Sequence, residues 1–337
     1  MNETYRALSM ERHADSFRAA TDVVTLPLAE PGSGEVRVRN QWCGINAIFD
    51  TQIARNAVDY VKIGLPTFTG VEALGLVEAV GEGVNSLAIG DAVVTTRFTG
   101  GYREANVGPA DSFVKAPDAR PEWLVLASTG VSALVAMEQI GEIKAGETVA
   151  VSAAAGGLGH LLVQLAAMRG CHVIGIAGGP EKCEFVRSLG AARAIDYRSE
   201  DVAAVLAAEY PKGIDLAFDT VSGTIFDAFL ANIANHGRLV VAGAASDLEG
   251  KPELLTAPRI GNAIYYKSAS VRGFMNGLLT AHWPEARARL FEMYRQGQIN
   301  VCLDDRRFVG LESIFDAGEH LLSGKSMGKV LARIAPA

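Results

Sequence analysis

The stretch TVAVSAAAGGLGHLLVQLAAMRGCHVIGIAGGPEK, residues 148–182, constrains the fold of this chain more than any other. Its first five residues are β-branched, or small and apolar, and predict a strand. Gly156, Gly157 and Gly159 then allow a tight turn, and Leu161, Leu162, Leu165 and Met168 recur at helical spacing before a second strand at 172–176. Strand, glycine turn, helix and strand in that order build a unit suited to a pyrophosphate. The glycines admit the phosphate close to backbone N–H groups, and the helix N-terminus presents a partial positive charge. Taken alone the turn is weak, because Ala154 stands where the G-x-G-x-x-G pattern has its first glycine, with Gly156 and Gly159 at the other two. Its setting between a strand and an apolar helix points to a dinucleotide.

The rest of the chain supports that setting. After residue 180 a helix opens on Pro180, a favoured first helical residue, and closes before Gly190. A third strand is expected at 194–197, then a helix capped by Ser199, a fourth strand at 214–218, a helix at 224–235, a fifth strand at 238–242 and a sixth at 270–274. Repeated β-α units with apolar strands specify a doubly wound parallel sheet with helices on both faces. Upstream the text differs. Short runs such as EVRVR (35–39), GLVEAV (75–80) and AVVTT (92–96) are separated by Gly, Asp and Pro turns, which predicts a small β-rich barrel. The resulting division is residues 1–121 for the first domain, 122–295 for the dinucleotide domain, and 296–337 for a return to the first domain.

Composition removes several classes of function. With 337 residues, 49% hydrophobic and 20% charged, the chain has material for two buried cores. The net charge of −7 and the lack of a basic cluster argue against nucleic acid. The charged N-terminal text lacks the apolar core of a signal peptide, and no uninterrupted apolar run reaches membrane length, so a cytoplasmic protein with no membrane partner is expected. Cys43, Cys171, Cys183 and Cys302 are scattered without a CxxC pair, as reduced structural thiols would be.

The choice of dinucleotide turns on the end of the second strand. An Asp or Glu there accepts from a ribose 2′-hydroxyl, whereas a 2′-phosphate requires that acid to be absent and a cation to be near. The chain reads Ala177-Gly178-Gly179-Pro180-Glu181-Lys182, without an acid at the strand end, which favours NADPH. By itself Lys182 is equally compatible with a solvated lysine paired to Glu181 or Glu184.

At this point the residues match a family. VRVRNQWCGIN, SAAAGGLG, CHVIGIAGGPEK, FVRSLGAARAIDYRSED, GRLVVAGAAS, KSASVRGF, GLESIF and MGKV occur in order. The chain thereby resembles the zinc-free branch of the medium-chain dehydrogenases/reductases, the group of quinone oxidoreductases and prostaglandin or leukotriene reductases. The resemblance implies a Rossmann domain with a GroES-like barrel domain. It implies that Ala155, Gly156, Gly157, Leu158 and Gly159 hold the pyrophosphate, that Lys182 and Tyr197 contact the 2′-phosphate, that Gly178 also belongs to the cofactor site, and that Thr220, Gly243, Ala244, Ala245, Phe274, Met275 and Asn276 line the nicotinamide half. Ser326 stands where relatives usually carry an Asn at the cofactor. Zinc enzymes of the wider superfamily use Cys at the position of Asn46, His at that of Val71 and a further Cys near Val125, so no metal is expected. Relatives dimerise through the strand matching residues 268–274, which would lie at the sheet edge, where an unprotected strand invites its symmetry mate.

Without a metal, the chemistry expected is reduction of an activated double bond or a quinone. Hydride adds to the β-carbon of an enone, and hydrogen-bond donors hold the enolate oxygen that results. Tyr266 matches a tyrosine that leukotriene-type relatives place near the nicotinamide ribose and substrate, and Asn46 is the second donor candidate. Tyr265 and Tyr266 are equally compatible with an amphipathic rim, and Asn46 with a turn residue. The acid that relatives carry shortly after the Asn is displaced in Ile48-Phe49-Asp50, and residues 54–67 are expected to rim the pocket. His160 reads better as a helix histidine than as a proton donor. An enoyl-thioester reductase and a non-catalytic NADPH-binding protein are the alternatives.

Overall fold

The computed structural model describes residues 3–58, 62–246 and 259–334. Two compact units emerge: one comprises residues up to Ser128 together with those from Leu303 onward, the other Thr129–Cys302. The divisions fall later than the Pro121 and Gln296 signals suggested. The helical run Pro121–Ile140 is continuous, and its opening residues Trp123, Leu124 and Val125 are buried. That run is long and apolar enough to cross a membrane, unlike anything expected from the sequence, but two-thirds of its apolar window is buried inside the protein. Its apolarity is that of a core helix.

The first unit is β-rich. Strand Glu35–Gly44 is its spine, pairing antiparallel with Ala73–Val80, Ala105–Pro109 and the C-terminal strand Leu331–Arg333. Its alternation explains the pairing. Val36 and Val38 enter the core, while Arg37 and Arg39 turn outward to Glu78, at 3.5 and 2.8 Å. Leu331–Arg333 joins the sheet of this unit. A separate three-stranded sheet joins Thr21–Pro27, Thr4–Met10 and Thr67–Phe68.

The second unit is the doubly wound sheet. Its six strands are parallel and ordered Arg193–Asp196, His172–Ala177, Thr148–Val151, Ile214–Asp219, Ile233–Val241, Ser270–Gly273. The order reverses between Thr148–Val151 and Ile214–Asp219. At such a switch point the connections leave to opposite faces and open a crevice at the carboxyl ends of the strands.

Two local expectations needed correction. The helix at 224–235 ends at Ala231 and the next strand begins at Ile233; His236, at φ 62°, and the following Gly237 form an irregularity where the register with Ile214–Asp219 shifts. Helix Val202–Glu209 is capped by Asp201, whose carboxylate accepts from the Ala204 N–H at 3.1 Å, and not by Ser199.

Candidate functional site

The glycine turn lies at the switch point. Ser152, fully buried, follows the first strand, and its hydroxyl donates to Asp219 Oδ1 at 2.9 Å across the gap to the fourth. Ala153 adopts φ 44°, and the Ala154 N–H donates to Ile176 O at 2.9 Å, holding the turn against the second strand. Helix Gly159–Met168 then starts so close that a Cβ on Gly159 would overlap Ala153 O. That closeness is what the pattern needs glycine for. Ala155 is buried, while Gly156, Gly157 and Leu158 are half-exposed at the helix N-terminus. Accessible glycine backbone at a helix N-terminus is the geometry that receives a phosphate.

The second strand ends in a turn built around Gly178 and Gly179. A Cβ on Gly178 would come within 2.8 Å of the Tyr197 ring, so the missing side chain is the space the tyrosine occupies. Gly179 sits at φ 95°, ψ 157°, a conformation open essentially to glycine alone. Lys182 is in the first turn of the helix that follows, Pro180–Ser188. Two further residues belong here that the sequence reading missed. Asp196, at the end of the adjacent strand, accepts from the Gly179 N–H at 2.7 Å and the Arg198 N–H at 3.0 Å. Those backbone bonds hold its carboxyl below the usual carboxylate range. The acid absent from the second strand is thus present on the third, but it is spent on the turn. Arg198 brings its guanidinium to about 3.6 Å from where a Gly179 Cβ would stand, adding a cation beside Lys182 and Tyr197. The signal for both was the DYR of IDYRSE.

Beyond the switch point the expected nicotinamide residues converge in part. Asp219, fully buried, accepts from the Val221 N–H at 2.9 Å and the Ser222 N–H at 3.0 Å, shaping the loop that carries Thr220. The Ala245 N–H donates to Thr220 O at 3.1 Å, and a Gly243 Cβ would lie 3.0 Å from the same oxygen, so Thr220 and residues 243–245 form one ledge. The Phe274 N–H donates to Val241 O at 2.9 Å, bringing residues 274–276 alongside. Asn276 is engaged internally, its amide bonded to Ser132 Oγ and to the Trp283 indole, both at 2.9 Å. Tyr266 lies at the end of helix Gly261–Tyr265, 79% exposed, its ring against that of Tyr265.

Asn46 and Ser326 belong to the first unit. Ser326 is half-buried in the turn ahead of Met327, whose N–H donates to Asp304 Oδ2 at 2.8 Å. Asn46 opens helix Ala47–Ala54 and is surrounded by partners. Its Nδ2 donates to Glu72 Oε1 at 2.9 Å and Gly44 O at 3.3 Å, and its Oδ1 accepts from Lys329 Nζ at 3.2 Å. The expected donation from Asn46 to a substrate carbonyl would have to break one of these bonds. Lys329 and Glu72 form a buried ion pair at 2.6 Å, with Lys329 also donating to Ile45 O at 3.2 Å. Burial pushes the Glu72 carboxyl up, but the Lys329 ammonium and the hydrogen bonds from Lys329, Ser128 and Asn46 outweigh it, and the net shift is down. Next to this pair, the Tyr102 hydroxyl accepts from the Asn46 N–H at 3.3 Å and donates to Asp50 Oδ2 at 2.6 Å. Burial pushes Asp50 up to about 7 despite that bond. The displaced acid is therefore a core residue. Phe49, which precedes it, packs edge-on against Phe98. Of the expected pocket rim 54–67, residues 59–61 lie outside the described residues.

Residues 32–118 match the alcohol dehydrogenase GroES-like domain, and residues 157–292 the zinc-binding dehydrogenase family. Prostaglandin reductase-3 of Mus musculus is 35% identical over 98% of this chain and 90% of its own length. The chain belongs to the medium-chain dehydrogenase/reductase family. A probable quinone oxidoreductase of Leishmania amazonensis is 34% identical over 98% of both chains. The structure of Escherichia coli quinone oxidoreductase complexed with NADPH superposes with a TM-score of 0.84 at 28% identity, covering 97% of this chain and 99% of that one. The name of one matching family implies zinc, and the donors here do not suit it. Asn46 and Val71 offer neither thiolate nor imidazole, Val125 is buried aliphatic, and Glu72 is already neutralised by an ammonium that would repel a dication. Among the described residues no three His, Cys, Asp or Glu side chains gather as a metal site.

Proposed function

We propose that this medium-chain dehydrogenase/reductase reduces the activated double bond of α,β-unsaturated ketones and aldehydes, or quinones, and works without zinc. Its cofactor is NADPH. The observation that carries the reading is the second-strand turn, where Lys182, Tyr197 and Arg198 attend a glycine pair and the strand-end acid Asp196 is bonded to backbone N–H groups. Bound there, NADPH supplies a hydride from nicotinamide C4. Ala155 to Gly159 would hold the pyrophosphate, and Thr220 with residues 243–245 and 274–276 would line the nicotinamide half. Hydride addition to a β-carbon leaves negative charge on the carbonyl oxygen, which needs a donor. Tyr266 is the donor we assign, and the α-carbon takes its proton from solvent. Asn46 serves the fold of its own unit.

The test is NADPH and NADH oxidation over a panel of enones, quinones and enoyl-thioesters, with elemental analysis of the same preparation. Turnover of enones or quinones with NADPH, activity with NADH lower by roughly a factor of ten, and zinc below roughly a tenth of an atom per chain are expected. Lys182→Ala should raise the KM for NADPH roughly tenfold and leave that for NADH unchanged. NADPH binding without turnover of any substrate would overturn the reductase reading. Preference for the thioesters alone would move the assignment to a carrier-linked substrate.

A further inference from the structure

His160 is the second residue of helix Gly159–Met168, fully buried, and the reaction just described does not use it. Its ring Nδ1 lies 3.0 Å from Gly156 O, and its Nε2 lies 3.2 Å from the backbone nitrogen of Cys302. A carbonyl can only accept and an amide N–H can only donate, so the two contacts together fix the neutral ring with its proton on Nδ1. One turn further along, Gln164 Nε2 donates to His160 O at 3.0 Å and Asn300 O at 2.9 Å, while Gln164 Oε1 accepts from the Asn300 N–H at 2.8 Å. The face of this helix is thus bonded to residues 300–302.

We infer that His160 is a positioning residue for the cofactor pyrophosphate, an inference that rests on the glycine turn being the pyrophosphate site. In a trans peptide the C=O of one residue and the N–H of the next point in opposite directions. The Gly156 carbonyl is turned into the helix by two donors, the His160 Nδ1–H and the His160 backbone N–H, both at 3.0 Å. The Gly157 N–H is thereby directed outward, on the half-exposed side of the turn. A glycine turn is free to rotate that peptide, and an N–H set before binding spares the ordering cost when the phosphate arrives. The ring can hold this position because its other nitrogen is braced on Cys302.

The experiment compares NADPH with adenosine 2′-monophosphate, which carries the 2′-phosphate but no phosphate on its 5′ carbon, by fluorescence or calorimetric titration. In His160→Leu the Kd for NADPH should rise roughly tenfold, with that for the monophosphate within about twofold of wild type. His160→Asn, whose amide can reach Gly156 O as Nδ1 does, should recover most of the loss. His160→Gln, whose longer side chain reaches towards Cys302, should not, and this pair decides the matter if the leucine variant does not fold. An unchanged NADPH affinity, an equal loss for both ligands, or equal affinities in the asparagine and glutamine variants would overturn the inference. Failure of wild type to bind either ligand would instead overturn the cofactor reading on which it rests.

Discussion

At the scale of single residues, the first unit contains a charge arrangement whose energetics can be measured. Asp50 titrates near 7 in the folded protein, above the 3.8 of an ordinary aspartate, because burial disfavours its charged form. Between those values the folded state holds a proton that the unfolded state has released, so this group's contribution is present at low pH and is lost as pH rises through about 7. Asp50→Asn should therefore gain stability relative to wild type between pH 5 and pH 8, by on the order of 2–4 kcal/mol, read as the difference in denaturation midpoints. A constant difference across that range would show that Asp50 is not the titrating group. The Glu72–Lys329 pair behaves differently. Removing either partner strands a buried charge, so Lys329→Met and Glu72→Gln should each cost about 3–5 kcal/mol, and the double variant less than the sum. Additive losses in a double-mutant cycle would mean that the two do not interact. None of this could be read from the sequence, where Glu72 and Lys329 are 257 positions apart and only the fold makes them neighbours.

Among the elements, the glycine turn and the strands around it were legible because their residues are chosen by backbone geometry. Gly159, Gly178 and Gly179 stand where a Cβ would collide or where φ is positive, and such demands leave a mark in the text. Asp219 left none, and Asp196 only the DYR of IDYRSE, because an acid at a strand end looks the same whether it accepts from a ribose or from its own loop. The turn around Ser326 shows the same limit. Asp304 takes the Met327 N–H at 2.8 Å, the Arg306 N–H at 3.1 Å and His320 Nε2 at 3.0 Å, while its own N–H donates to Lys329 O. Asp304→Ala should destabilise the first unit by about 2–4 kcal/mol and speed hydrogen exchange at Met327 by a hundredfold or so. His320→Gln, which keeps a donor, should sit close to wild type, and His320→Leu should not. Equal exchange in the two histidine variants would remove His320 from the support of this turn.

For the molecule as a whole, the strand Ser270–Gly273 ends the six-stranded sheet, and large apolar side chains are exposed in the sequence before and after it: Ile260, Tyr265, Tyr266, Met275 and Leu278. An open strand edge flanked by exposed apolar residues is a surface that a second copy would cover. We propose a homodimer through this edge, and light scattering at micromolar concentration should give twice the 35.6 kDa chain mass. A monomeric mass would overturn it. Tyr266 is the residue most affected by the outcome, since its 79% exposure is that of a single chain.

By itself the sequence determined the order of elements, the glycine turn, the absence of an acid at the second strand end and the family. These are local properties, written in periodicity, in positions only glycine can fill and in ordered motifs. Tertiary structure alone decided where the lone polar residues go. It turned Asn46 from a candidate donor into the bonded neighbour of a buried ion pair, moved Asp50 into the core, and gave His160 a single tautomer between Gly156 and Cys302. A polar side chain can donate to many partners, and which of them lies within 3 Å depends on strands and helices brought together from distant parts of the chain.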